Sequence, residues 1–404
     1  MKKIENVVSP LLAATLGLGT GAGVAQSDND NDWNRRSRAP GVVKAVGFDD
    51  IREWARYSFD QSHCNPEYQV VVDNKKEGCR TNAWDPKVKT SGKGSVRFDV
   101  LPRSRPGGGG NLAIPFGDYA TSQFGANQEF WVSWRQRMDA RYLQGYRREG
   151  GKGLTTFKQV IIAQGDMPLP GAKTYPGNAC SEAQVVVVSS EPTAQPTFPM
   201  GYIECAKYLP FAQTGGRSGG SRITTYQNMR TLGEGAFSCI SNPRNMERSG
   251  CMEYRPDEWT TYMVRLKLGP EGKAVSSIYK KEQPGYVDST YELYAARPGE
   301  DFVLLHRQTG LVIPKGQYYL GGDTNSRSSY KDGWGPGDAH PEARFGKLWL
   351  LSFMTGKDSK EGTEKASTWY DEVIISRCRI AAPGHPIPRE CNPSRDGKAV
   401  VNGD

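Results

Sequence analysis

GKLWLLSFMTGKD (Gly346–Asp358) and STWYDEVIISRCRIAAPG (Ser367–Gly384) are consecutive segments in which residues alternate with the two-residue period of a strand. In the second, strict alternation puts Trp369, Asp371, Val373 and Ile375 on one predicted face and Tyr370, Glu372, Ile374 and Ser376 on the other. Working outward, similar segments occupy Gly94–Leu101, Glu129–Met138, Thr155–Gln164, Ala183–Ser189, Met200–Cys205, Arg222–Tyr226, Trp259–Leu268, Thr290–Ala295 and Phe302–His306. Connections such as RPGGGGN (Arg105–Asn111) and QTGGRSGGS (Gln213–Ser221) separate them. With 47 glycines, 26 prolines and 19 tyrosines in 404 residues, the composition suits many strands joined by turns and predicts an all-β chain.

This strand series, together with WTTYMVRLKLG (Trp259–Gly269), resembles the concanavalin A-like jelly-roll domains of secreted carbohydrate-active proteins, in particular the jelly-roll polysaccharide lyases of the alginate and glucuronan type. The resemblance spans about Phe48 to Pro383. It implies a β-sandwich of two antiparallel sheets with long loops, over 41–384.

The first residues predict export. Lys2 and Lys3 precede an apolar, small-residue stretch ending at Gly23-Val24-Ala25, the pattern of a cleaved signal peptide over 1–25. Residues 26–40 (QSDNDNDWNRRSRAP) are polar and charged and are expected to form a flexible linker. A Ca²⁺ loop is the sharper reading of their aspartates, but the glycine and terminal glutamate of an EF-hand loop are missing. A structural Ca²⁺ is left open; the chemistry considered below requires no cofactor.

All 8 cysteines lie beyond the signal. An oxidising compartment and sequence proximity suggest Cys64 with Cys79, Cys180 with Cys205, Cys239 with Cys251, and Cys378 with Cys391, the last tying down a tail at 385–404. No C-x-x-C occurs and the 4 histidines are scattered, so no metal site is expected. The formal net charge is +8, which becomes +7 once residues 1–25 take two lysines and one glutamate with them. A basic exported protein without a nucleic-acid motif points to an acidic polysaccharide as partner, with neither nucleic acid nor membrane bound, and to a monomer.

Familiar motifs are set aside on context. Gly216–Gly220 matches G-x-S-x-G but sits in a glycine-rich loop without the strand and helix of a nucleophile elbow. Gly107–Gly110 lacks a following G-K-[ST], and there is no H-E-x-x-H. Hydrolysis would require two carboxylates on one face, whereas Asp371 and Glu372, as strand neighbours, are predicted to point apart.

Cleaving a uronic acid polymer by β-elimination calls for cations or amides around the C6 carboxylate and for a tyrosine or histidine to move protons. Arg135 and Arg137 in FWVSWRQRMD, Lys158 and Gln159 in TTFKQVIIAQGD, Gln184 in SEAQVVVV and Tyr202 in FPMGYIECAKY interrupt neighbouring strands and are expected on one wet, concave face. KQVIIAQ (Lys158–Gln164) resembles the Q-[IV]-H strand of alginate lyases at Gln159 and Val160, with Ile161 where the histidine would stand. QYYLGGDTNS (Gln317–Ser326) loosely resembles their tyrosine-bearing strand, which adds Tyr319. The expected catalytic set is Arg137, Lys158, Gln159, Gln184, Tyr202 and Tyr319; Arg135, Tyr318, Tyr330 and Trp334 are expected to bind sugar, the aromatics by stacking. A polysaccharide lyase leads, ahead of a glycan-binding protein without activity and a glycoside hydrolase of the same fold.

Overall fold

The computed structural model describes residues 21–57, 69–72, 75–79, 82–104, 110–147, 149–150, 155–165, 183–188, 198–204, 207–208, 222–224, 252, 254–275, 282–315, 344–360 and 364–389. Over 69–72, 75–79, 183–188, 198–204, 207–208 and 222–224 it defines the course of the backbone alone.

In chain order, helix α1 (Gly21–Ser37), β1 (Val42–Val46), α2 (Ile51–Tyr57), β2 (Gln69–Val72), β3 (Lys75–Cys79), β4 (Ala83–Asp85), β5 (Ser95–Val100) and β6 (Asn111–Pro115) come first. Then follow α3 (Tyr119–Ser122), β7 (Glu129–Met138), α4 (Ala140–Gln144), β8 (Thr156–Gln164), β9 (Ala183–Val188), β10 (Phe198–Glu204), β11 (Lys207–Tyr208) and β12 (Arg222–Thr224). The remaining described strands are β13 (Thr260–Lys267), β14 (Glu271–Val275), β15 (Glu282–Ala296), β16 (Val303–Pro314), β17 (Phe345–Thr355) and β18 (Ala366–Ser376). No described helix is long and apolar enough to cross a membrane.

The strands form the antiparallel jelly-roll sandwich expected from the alternation. A ten-stranded sheet runs β11-β16-β15-β13-β7-β18-β5-β4, with β1 on β18 and β14 on β15; a six-stranded sheet runs β12-β10-β9-β8-β17-β6. Both contribute an apolar face to one core. From the large sheet come Val96, Phe98, Val132, Trp134, Val264, Leu293, Tyr370, Val373 and Ile375; from the small one, Leu112, Ile114, Phe157, Val160, Ile162, Leu348 and Leu350. Burying such side chains contributes about 1.5–3 kcal/mol each.

An irregularity in β18 re-phases what strict alternation predicts there. In β18, Asp371 pairs with Arg135 and Ile374 with Ser133, so two residues oppose one, and Glu372 takes a positive φ of 49°. Tyr370, Val373 and Ile375 therefore share the core side, while Ile374 joins a separate outer cluster with Trp33 and Trp131. This corrects the predicted faces beyond Asp371, because a bulge of one residue moves every later side chain to the opposite side. It also corrects the expectation that Asp371 and Glu372 point apart. The Thr90 hydroxyl lies 2.8 Å from Asp371 and 3.0 Å from Glu372, and both carboxylates are buried.

Residues 26–37, expected to be linker, continue α1 and are docked. Arg36 is 1% exposed and donates to Asp32 and to Glu372; Trp33 is buried, and the Gly92 N–H donates to Asp30 at 2.6 Å. Composition alone reads this segment as solvated; its partners are some 60 to 340 residues away, which no local pattern records. Of the aspartates considered for Ca²⁺, Asp30 and Asp32 are engaged with protein groups, and no metal-sized cluster of ligands occurs among the described residues.

Candidate functional site

The outer face of the six-stranded sheet carries the most distinctive surface among the described residues. β17 alternates regularly: Leu348 and Leu350 enter the core, while Trp349, Leu351 and Phe353 face outward and pack with Ile161 and Ala163 of β8. Half-buried Lys158 projects there too, its Nζ 5.8 Å from the centre of the Phe353 ring; Lys347, further along, lies 5.9 Å from Trp349. Arg97, Arg135, Arg137 and Arg265 all pair with carboxylates, whereas Lys158 has no carboxylate partner among the described residues.

β8 reaches this arrangement through a register shift between Lys158 and Val160. Phe157, Gln159, Val160 and Ile162 turn inward, Lys158 and Ile161 outward. Two successive inward residues bring Lys158 and Ile161, three apart, onto one face. The register then continues across the sheet: Ile161 pairs with Trp349 on one side and Gln184 on the other, and Gln184 pairs with Tyr202. Trp349, Ile161, Gln184 and Tyr202 thus hold one row of backbone positions, with Lys158 two pairs further along, opposite Val186.

The predicted set is therefore divided. Lys158 lies on the outer face of the small sheet, and the backbones of Gln184 and Tyr202 occupy neighbouring register positions. Arg135 and Arg137 lie on the outer face of the large sheet, across the core, because Phe130, Val132 and Trp134 alternate inward. Arg135 sits 3.5 Å from Glu372; Arg137 pairs with Asp257 at 2.9 Å and stacks on Trp369. The expectation of one shared face fails for these two. Gln159 is 0% exposed: its amide donates to Gln136 at 2.6 Å and accepts from Tyr254 at 2.6 Å, inside the core. Tyr318, Tyr319, Tyr330 and Trp334 lie outside the described residues, as do Cys64, Cys180, Cys205, Cys239, Cys251 and Cys391. Cys79 is described as backbone alone. Cys378 is buried and disulfide-bonded.

Trp349 and Phe353 were missed as site residues. Their signal is in the opening quotation, where Lys347-Leu348-Trp349-Leu350 alternates cation or aromatic against leucine and Phe353 returns to the same phase four residues after Trp349. The paired carboxylates form the other chemically charged spot. Burial, then the neighbouring Glu372, pushes Asp371 well above the usual carboxylate range; burial acts the same way on Glu372, but Arg36 and Arg135 outweigh it and hold that group below. Covered by α1, this cluster is enclosed among the described residues and ties the helix to the sheet.

No protein-family model and no curated protein sequence matches the chain. Among solved structures, the chain is similar to a marine alginate lyase from Aplysia kurodai (TM-score 0.39, 8% identity, 83% of this chain and 98% of that one). It is similar also to an endo-β-1,4-glucuronan lyase from the fungus Trichoderma reesei (TM-score 0.35, 8% identity, 79% and 95%) and to the alginate lyase Aly36B (TM-score 0.38, 11% identity, 85% and 95%).

Proposed function

We propose that this chain is a secreted polysaccharide lyase that cleaves an acidic, uronic acid-containing polysaccharide on the outer face of its six-stranded sheet. The observation that carries the reading is Lys158: a half-buried ammonium beside an aromatic ring, with no carboxylate partner among the described residues, on a face that also presents Trp349. Sugar rings stack on such aromatics, and an unneutralised cation there favours a bound carboxylate.

In this reading Lys158 holds the C6 carboxylate and, with the Gln184 amide, stabilises the enolate-like charge that builds as the C5 proton leaves. The electron pair of the C5–H bond forms the C4–C5 double bond, the C4–O bond breaks, and the leaving oxygen takes a proton. Tyr202 removes the first proton and supplies the second. From strand spacing, the Lys158 and Tyr202 backbones stand roughly 12 Å apart. Export follows the reading of residues 1–25 as a signal; cleavage after Ala25 retains Asp30, Asp32, Trp33 and Arg36, which dock α1.

The test is a panel of alginate, glucuronan, pectic and sulfated polysaccharides, followed by the ultraviolet absorbance of an unsaturated product. Absorbance that rises with wild type and is lost in Lys158→Ala supports the reading. Reducing ends without absorbance would instead identify a hydrolase, and binding without product a glycan-binding protein.

A further inference from the structure

We propose that Tyr370 and Gln136, on the opposite sheet, are positioning residues that hold the bulge of β8 and thereby keep Lys158 on the outer face. The proposal rests on the reading of Lys158 as the cation that meets substrate. The Tyr370 hydroxyl crosses the core and lies 2.9 Å from the Gln159 carbonyl and 2.6 Å from that of Leu351, sharing its one proton between them. These carbonyls flank the place where β8 slips register against both neighbours, between Lys158 and Val160 towards β9 and between Leu350 and Phe353 along β17. A bulge leaves backbone groups outside the ladder, and in a core they require partners from elsewhere.

The hydroxyl is held in turn. Gln136 Nε2 donates to it at 2.9 Å and to Thr368 Oγ1 at 2.9 Å; Gln136 Oε1 accepts from the Gln159 amide, whose own oxygen accepts from Tyr254. Gln159, the inserted residue, is thus fixed at both its carbonyl and its side chain. If it left the bulge, strict alternation would place Lys158 on the face opposite Ile161, and the cation would leave the row that contains Trp349. Burial keeps Tyr370 protonated far into the alkaline range, so the donor is constant wherever the fold persists.

The experiment compares Tyr370→Phe with Tyr146→Phe. Tyr146 is a matched control: it too is buried, and its hydroxyl donates to the carbonyls of Val100 and Glu364, neither in the six-stranded sheet. Two kinds of measurement are made: kcat and KM on the best acidic polysaccharide, and the rate at which an acylating reagent labels Lys158 relative to exposed Lys93 and Lys267. Tyr370→Phe is expected to lower kcat roughly 10- to 100-fold with KM little changed, as a displaced catalytic group does, and to change Lys158 labelling selectively. Tyr146→Phe should leave both near wild type.

Wild-type kcat and labelling in Tyr370→Phe, or equal losses in both variants, overturn the proposal. If wild type forms no unsaturated product on any polymer, the lyase reading fails, and the labelling alone decides whether the bulge is pinned as proposed. Should Tyr370→Phe not fold, Thr368→Val, which loosens Gln136 and leaves the hydroxyl in place, is expected to shift Lys158 labelling in the same direction; no shift overturns the proposal.

Discussion

At the scale of single residues, Lys158 and Asp371 show how environment sets the role of a charge. If Lys158 meets the substrate carboxylate, Lys158→Ala should lower turnover by about 10² to 10³, the usual cost of losing one donor to developing charge. The melting temperature should change little, since the ammonium has no ion pair to lose among the described residues; a large fall in melting temperature would make it a structural residue instead. Asp371 is the reverse case, enclosed and held protonated above its ordinary value of about 3.9 by burial and by Glu372. A carboxyl whose folded-state pKa is raised contributes stability that is complete below the unfolded value and is lost as pH rises through the folded one. Asp371→Asn cannot ionise. Its melting temperature relative to wild type should therefore climb as pH is raised from 4 towards 9, and a pH-independent difference would refute the assignment.

At the scale of elements, α1 is clamped by one buried guanidinium. Arg36→Ala leaves Glu372 enclosed with Arg135 as its remaining cation at 3.5 Å, and breaking a buried pair this way costs about 3–5 kcal/mol. A chemical denaturation midpoint unchanged from wild type would contradict that. If Cys378 pairs with Cys391, removing that bridge should cost on the order of 3 kcal/mol, as for any short closed loop; peptide mapping without reduction checks the pairing. Strands such as β5, β7, β13, β17 and β18 were legible because alternation over six or more residues leaves little else to form. The bulges of β8 and β18 were not, since an inserted residue looks like any other until its partner strand is known. They are also where the candidate site was misread: one carries Gln159 into the core, the other turns Asp371 and Glu372 together. Docked α1 escaped for a different reason, its apolar content being too small to signal burial that long-range ion pairs supply.

At the scale of the whole molecule, the basic balance of +8 should make the apparent affinity for an acidic polymer fall as salt is raised through the range where the Debye length shrinks from about 10 to 3 Å. KM rising with sodium chloride at nearly constant kcat is the expected result; salt-independent KM would assign recognition to stacking alone. The sandwich was readable from the sequence, whereas the choice of sheet for the site was not, because it depends on which strands become neighbours. One feature of that neighbourhood reaches beyond activity. β18, late in the chain, sits in the interior of the large sheet, bonded to β7 on one side and to β5 and β1 on the other. The early strands must wait for it, so contact order is high and folding slow, on the scale of milliseconds to seconds. A ribosome-bound chain lacking residues 366–376 would therefore stay open and protease-sensitive until its last strand is made.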